Sequence, residues 1–485
     1  MSTDYRGIQV LSRFLVALCV LFASLGQAQT VAEARNMRLV GMHDLQGRSS
    51  YQPVVHRYGE RYVLVVGHHA GTALNPHSGE RERSGASLLD VTDPSAPELL
   101  VHIPPTGPDA NGTQHVQVCS GVDLPAGDAS KTYLLRTNGQ EGVEILDISD
   151  PREPSLLTTV ARTGVTDLGD RETHKSQWDC ATGLAYLNLT ADGWRVPRIL
   201  QVFDLSDPAE PRFIRDFGLE DWRPGASGAD PDAAVSGLHQ PMVVADRMYL
   251  GYGSGNDGVL QIVDREKFLR GDPDASEPFA PTAANLAYPV IAELKLPRYW
   301  GVHTAKPVYG LEVADYAGSP AAVRDFLIVV SETTQYRCQQ ERDVMFLFDI
   351  TEEDRPFPVS TFQVPEEPGD FCNRGGRFGP HAPHDLFDER FDRRIVALSY
   401  FNAGVRVVDI RNPFELVEIA HYIPAMTSNT MELCIEIDGA EECTAQIQTN
   451  NVNLDDRGLV YAVDRAGTGL HVLELTGEAR AIAGL

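Results

Sequence analysis

Histidines recur along this chain of 485 residues in short polar segments spaced 59 to 78 residues apart. The segments are Gln114-His115-Val116, Thr173-His174-Lys175, Leu238-His239-Gln240-Pro241, Val302-His303-Thr304 and Pro380-His381-Ala382-Pro383-His384-Asp385. A neutral imidazole offers one ring nitrogen to a metal and the other to a supporting hydrogen bond. Several converging on one point therefore make a site for Zn, Cu or Fe. We take His174, His239, His303 and His381 as the candidate metal ligands. The last three sit in Gly- or Pro-flanked turns: Gly237-Leu238-His239, Gly301-Val302-His303 and Gly379-Pro380-His381. His115 and His384 are reserves. Near the C-terminal end, Gln448, Asn450 or Asn451 falls at the matching place. The competing reading is a ring of hydrogen-bonded polar side chains, with general-base use as a further role.

Other candidates are more diffuse. His68 and His69 could face the channel mouth with His56, although a plain turn after a strand is the more ordinary reading. Glu332, Asp385, Asp464 and Arg465 lie near expected strand ends. The run Arg374-Gly375-Gly376-Arg377 follows Cys372 and could bind an anion, or could simply be a disulfide-tied loop. There is no Gly-x-Ser-x-Gly elbow, no phosphate-binding loop, no His-Glu-x-x-His and no Cys-x-x-Cys-His.

The elements that must position these residues come from a repeat. An apolar run ends in an acidic residue, and Asp-Pro-x-x-Pro follows. The clearest copies are Leu88-Leu89-Asp90-Val91-Thr92-Asp93-Pro94, Ile145-Leu146-Asp147-Ile148-Ser149-Asp150-Pro151 and Val202-Phe203-Asp204-Leu205-Ser206-Asp207-Pro208. Weaker copies end at Asp264, Asp349, Asp409 and Glu474. The aligned acidic residues lie 57 to 85 residues apart, enough for four short strands and their turns, which is one propeller blade. The Asp side chain caps the turn. Pro fixes φ and removes a ladder donor, so the strand stops. The longest interval carries a Pro/Ala-rich insertion near 272–288 that reads as a surface loop. The fold expected is all-β, a seven-bladed β-propeller of four-stranded antiparallel blades. In such a ring each blade's first strand lines a central channel, so matching positions in successive blades converge on the axis.

The Leu-x-Ile-Val-Asp strand followed by Asp-Pro-x-x-Pro resembles the LVIVD-repeat family of exported bacterial proteins, over roughly 37–483. The resemblance implies a propeller and says little about activity. Carotenoid cleavage oxygenases are similar at the level of fold, as propellers holding iron through four histidines. The selenium-binding and methanethiol oxidase family is similar in placing metal-binding histidines on a propeller. Neither family's full motif set is present.

The N-terminus reads as a secretory signal over residues 1–28. Arg6 and Arg13 precede an apolar run from Phe14 to Ala23, and Gly26-Gln27-Ala28 supplies small residues at the cleavage site. Residues 29–485 then form a single propeller domain. Removing Asp4, Arg6 and Arg13 takes the net charge from -27 to -28. So acidic a chain disfavours nucleic acid and anionic membranes. No later run is long enough to span a bilayer. Six cysteines remain after Cys19 leaves, an even number suited to an oxidising compartment, periplasmic or secreted. Cys434 and Cys443 flank an expected hairpin. Cys119 and Cys180 follow His115 and His174 at similar places in neighbouring repeats. Cys338 and Cys372 are left as the third pair. Two functions follow: a metalloprotein, oxidoreductase or lyase, using a channel-bound transition metal on a small molecule; or a non-catalytic scaffold binding an envelope protein or glycan.

Overall fold

The computed structural model describes residues 31–485 apart from 109–111, 162–172, 227–236, 256, 315–317, 320, 368 and 438. The expected signal segment lies outside the described residues.

The repeat builds antiparallel sheets in chain order. Blade 1 is Ser50–Tyr58, Arg61–His69, Ala86–Asp90 and Glu98–Ile103. Blade 2 is Val116–Ser120, Thr132–Thr137, Val143–Asp147 and Ser155–Ala161. Blade 3 is Gln177–Asp179, Leu184–Leu189, Ile199–Asp204 and Arg212–Phe217. Blade 4 is Leu238–Val244, Arg247–Tyr252, Val259–Asp264 and Val290–Lys295. Blade 5 is Thr304–Glu312, Val323–Val330, Met345–Asp349 and Phe357–Phe362. Blade 6 is Ile395–Ser399, Val405–Asp409 and Val417–Ile423. Its innermost segment is reduced to a single bridge from Pro383 to Leu398, and Glu33–Arg35 adds to its outer edge. Blade 7 is Thr449–Leu454, Leu459–Asp464 and Leu470–Leu475, with Met37–His43 as its outer strand. The architecture is the all-β, seven-bladed propeller that the repeat predicts.

That closure explains the degenerate last copy of the motif. After Glu474 the chain has no outer strand to turn into, because residues 37–43 already occupy that edge. It enters the short helix Gly477–Ala483 instead, and Glu474 pairs with Arg38 across the seam at 2.7 Å. In the other copies the acidic residue does what the turn needs. Asp90, Asp147, Asp204, Asp349 and Asp409 each accept the amide two residues on, at 2.9–3.0 Å. The fourth copy departs because Asp264 caps a helix, Arg265–Arg270, by accepting the Lys267 amide. The insertion that follows is more ordered than the surface loop expected. A second short helix, Ala283–Ala287, buries Leu286 in the same apolar cluster as Phe268.

Blades pack face to face, so a middle strand is buried on both sides and reads as a continuous apolar run instead of alternating. Val63, Leu64, Val65 and Val66 are all fully buried. Three disulfides, Cys119–Cys180, Cys338–Cys372 and Cys434–Cys443, match the pairing expected from the sequence. The last joins directly opposed residues of the hairpin Glu432–Ile437 and Ala440–Ala445.

Candidate metal centre on the channel axis

The innermost strands begin irregularly, and this irregularity aims side chains into the channel. The ladder slips between Leu238 and Gln240 in blade 4, between Thr449 and Asn451 in blade 7, and between Ser50 and Pro53 in blade 1. A bulge at a strand end re-aims the residue inside it. Here those residues include His239, Asn450 and Tyr51. Glycine permits the close approach. Gly237 has φ +75°, and a Cβ on Gly301 would stand 2.0 Å from the Ser254 carbonyl oxygen.

The result is a layer of buried polar residues. The ring centroids of His174 and His239 are 4.3 Å apart, those of His239 and His303 3.7 Å, and those of His303 and His381 4.5 Å. All four candidate histidines therefore lie side by side. Tyr51, whose ring sits 5.6 Å from that of His174 and 5.8 Å from that of His381, fills blade 1's place. Gln114 contacts His174 from blade 2 and Asn450 contacts His381 from blade 7.

The hydrogen bonds assign most of the protons. The His381 Nδ1–H donates to the Asn450 carbonyl, which can only accept, so its Nε2 carries a lone pair. His174 donates from Nδ1 to Gln114 Oε1 at 2.6 Å. His303 Nδ1 lies 2.7 Å from Thr304 Oγ1, and that hydroxyl donates onward to Gln240 Oε1 at 2.9 Å. Three imidazoles thus use Nδ1 for support and turn Nε2 inward. The supporting acceptor on the second ring nitrogen is the usual companion of a metal-bound histidine.

The Nε2 atoms of His303 and His381, with that of His239, face Glu332, just past the end of blade 5's second strand. His381 Nε2 is 3.8 Å from its Oε1, and His303 Nε2 and His239 Nε2 are 3.9 and 4.0 Å from its Oε2. Those gaps are too long for hydrogen bonds, yet two metal–ligand bonds of roughly 2.1 Å would bridge them. Ligand atoms of His239, His303 and Glu332 all fall within 4.8 Å of one another. His303 Nε2 and His239 Nδ1 are buried with no hydrogen-bond partner among the described residues. His174 Nε2 is 2.7 Å from His239 Nε2 and 3.3 Å from the Tyr51 hydroxyl. Burial lowers the pKa of all four histidines well below the usual value, and neighbouring cationic and imidazole groups add to the effect. They are neutral, the form that binds metal.

A cationic mouth surrounds the carboxylate. Arg377 donates to Glu332 Oε1 at 2.9 Å, and Arg465 lies 3.1 Å from His69 Nε2. The Cys338–Cys372 bridge ties together the loops that carry Glu332 and Arg377. Lys175, one residue past His174, is fully buried and donates to Gln240 Oε1 at 2.9 Å. Burial lowers its pKa to about 8.

The reserve histidines sit elsewhere. The His115 Nδ1 accepts the Ser176 amide at 3.3 Å, and its Nε2 is 4.0 Å from Asp385. The His384 Nδ1 accepts the Ala397 amide, and its Nε2 faces Asp392 at 3.6 Å. Each is a lone imidazole beside one carboxylate. Of the His68–His69 pair, His69 faces the mouth and His68 points into the blade between Ser50 and Ser87. His56 is away from both, against Ser120 and Tyr58. Tyr51 and Gln114 were missed as site residues. Their only signal is position, since each stands where the other blades carry histidine.

No family model matches the chain, and no curated protein matches it. Among solved structures it is similar to the β-propeller domain of Myceliophteria thermophila Cps50 (Swd1), at 12% identity and TM-score 0.46, over 92% of this chain and 100% of that one. The fold assignment rests on the sheets themselves.

Proposed function

We propose that this chain is an exported β-propeller metalloprotein of the LVIVD-repeat type, holding a transition metal at the channel axis through His174, His239, His303 and His381. Glu332 supplies a carboxylate at the same point. The observation that carries the reading is the proton assignment: His303 and His381 give Nδ1–H to supporting acceptors and turn Nε2 lone pairs toward one carboxylate. Lone pairs facing a carboxylate at that range repel unless a cation lies between them. The donor set suits Cu, Fe or Zn.

Such an ion would supply Lewis acidity, or one-electron chemistry in the case of Cu or Fe, which fits an oxidoreductase or lyase acting on a small molecule. The chain's own residues do the rest. Gln114, Thr304 and the Asn450 carbonyl fix ring orientation, and Arg377 holds Glu332 in place. The disulfides and the acidic surface support export to an oxidising compartment. Among the described residues, no helix is long and apolar enough to cross a membrane.

The test is metal analysis of tag-free protein after separate reconstitution with Fe(II), Cu(II) and Zn(II). About one equivalent of one metal is expected, and less than about a tenth of an equivalent of each overturns the reading in favour of a non-catalytic scaffold.

A further inference from the structure

The mouth of the channel is short of negative charge. Arg377 shares Glu332 with the histidines, and its Nε is buried without a hydrogen-bond partner. Arg465 Nε is in the same state. Among the described residues, neither Arg465 nor Lys175 has a carboxylate within ion-pair distance; their nearest polar contacts are His69 Nε2 and Gln240 Oε1. Asp464, the neighbour of Arg465, is turned away and accepts the amides of Gln448 and Ala466 at 2.7 Å. Asp385 accepts from Gln52 through one oxygen, also at 2.7 Å, and its charge acts on His115 and Lys175. Two guanidiniums, Arg377 and Arg465, thus stand beside one carboxylate, Glu332, before any metal is added. Cations removed from water are costly unless an anion is supplied.

The two guanidiniums also share a surface. Arg377 lies 5.3 Å and Arg465 5.6 Å from the centroid of Phe401. The Phe401 ring in turn is 5.1 Å from that of His381. The Phe401 ring is fully buried and holds the two guanidiniums near one another, so an incoming group would meet planar, bidentate-capable donors at the edge of the histidine layer. Planar guanidinium forks match carboxylates in geometry.

We infer that the site takes a carboxylate-bearing small molecule, its carboxylate held by Arg377 and Arg465. As a substrate assignment this rests on the metal reading. The anion pocket itself does not.

Benzoate is the probe. It would be titrated calorimetrically into metal-free protein and into protein reconstituted with the best-binding metal, with metal content measured separately. Binding near about 1 mM or tighter is expected in the metal-free form, weakened about tenfold or more by Arg465→Gln and only partly by Arg465→Lys. Arg152→Gln, at an exposed pair with Glu98, should leave it unchanged. Circular dichroism and the thermal midpoint would establish that the variants fold. An unfolded Arg465→Gln would pass the decision to Phe401→Leu, for which the same loss is expected. No heat from benzoate up to about 10 mM in either form overturns the inference, as does equal binding by folded Arg465→Gln. Metal without benzoate binding leaves the metal reading standing and removes this one. Benzoate binding without metal does the reverse.

Discussion

Two groups of buried histidines in this molecule are alike in burial and charge and opposite in how their nitrogens are used. In blade 1, a hydrogen-bonded line runs from the channel side to the outer strand. Ser50 Oγ lies 3.1 Å from His68 Nδ1, His68 Nε2 is 2.8 Å from Ser87 Oγ, and Ser87 Oγ is 3.1 Å from His102 Nδ1. His102 Nε2 closes the line on the Arg83 carbonyl at 2.9 Å. Because that carbonyl can only accept, His102 must carry its proton on Nε2. Ser87 then donates to His102 and accepts from His68, and each ring nitrogen is satisfied. On the axis, the Nδ1 atoms of His174, His303 and His381 are spent in the same way, but the Nε2 atoms of His239, His303 and His381 gather around Glu332. Burial alone does not separate a structural histidine from a ligand. The accounting of both ring nitrogens does.

The comparison breaks most sharply at the axis. The double variant His303→Gln/His381→Gln should lose metal affinity by more than about a hundredfold while keeping its far-UV circular dichroism. Metal retained by the folded double variant would place these rings with the structural set. The converse substitution is Ser87→Ala in the blade 1 line. It orphans His68 Nε2 and His102 Nδ1 together and should cost about 3 kcal/mol of unfolding free energy in urea, with metal content unchanged. A smaller effect comes from pH. Burial and Arg48 lower the His102 pKa from 6.5 to about 4. The folded state therefore takes up fewer protons than the unfolded chain below pH 6.5. This contribution is present in full above 6.5 and is lost as pH falls toward 4, amounting to about 2 kcal/mol by pH 5. His102→Gln should flatten the stability curve over that window. An unchanged slope would mean that other groups carry the acid sensitivity.

Much of the fold was legible because the repeat states its own punctuation. The Asp90, Asp147 and Asp204 turns are local chemistry, so sequence alone could place them, and with them the blades. The four histidines were legible because rotation about an axis turns equal spacing into proximity. What the sequence did not carry was the other side of the ring. Tyr51 and Gln114 share no residue type with histidine, and the bulges that aim Tyr51 and His239 depend on how innermost strands meet their neighbours. Closure was hidden for a related reason. Met37–His43 resembles no copy of the motif, and it joins blade 7 only through long-range pairing. Glu332 drew notice only as one of several acids near strand ends. Its role follows from the disulfide-tied loops packed above it.

The smallest predicted effect tests the finest point of the comparison, the offset between Gln114 and His115. Spacing alone makes His115 blade 2's member of the histidine series, yet Gln114 meets the layer and His115 faces Asp385. If Gln114 acts by holding the His174 Nδ1–H, then Gln114→Leu leaves that proton without an acceptor and frees the ring to turn. Metal affinity should fall about tenfold, the usual cost of losing a supporting acceptor. Gln114→Glu keeps the acceptor and adds charge, so affinity should be held or raised. A hydrogen-bonded ring without metal predicts a different pair of results: both variants would change the thermal midpoint, and neither would change metal content. His115→Gln should leave metal affinity untouched, since that ring lies one residue further along the chain, against a different carboxylate.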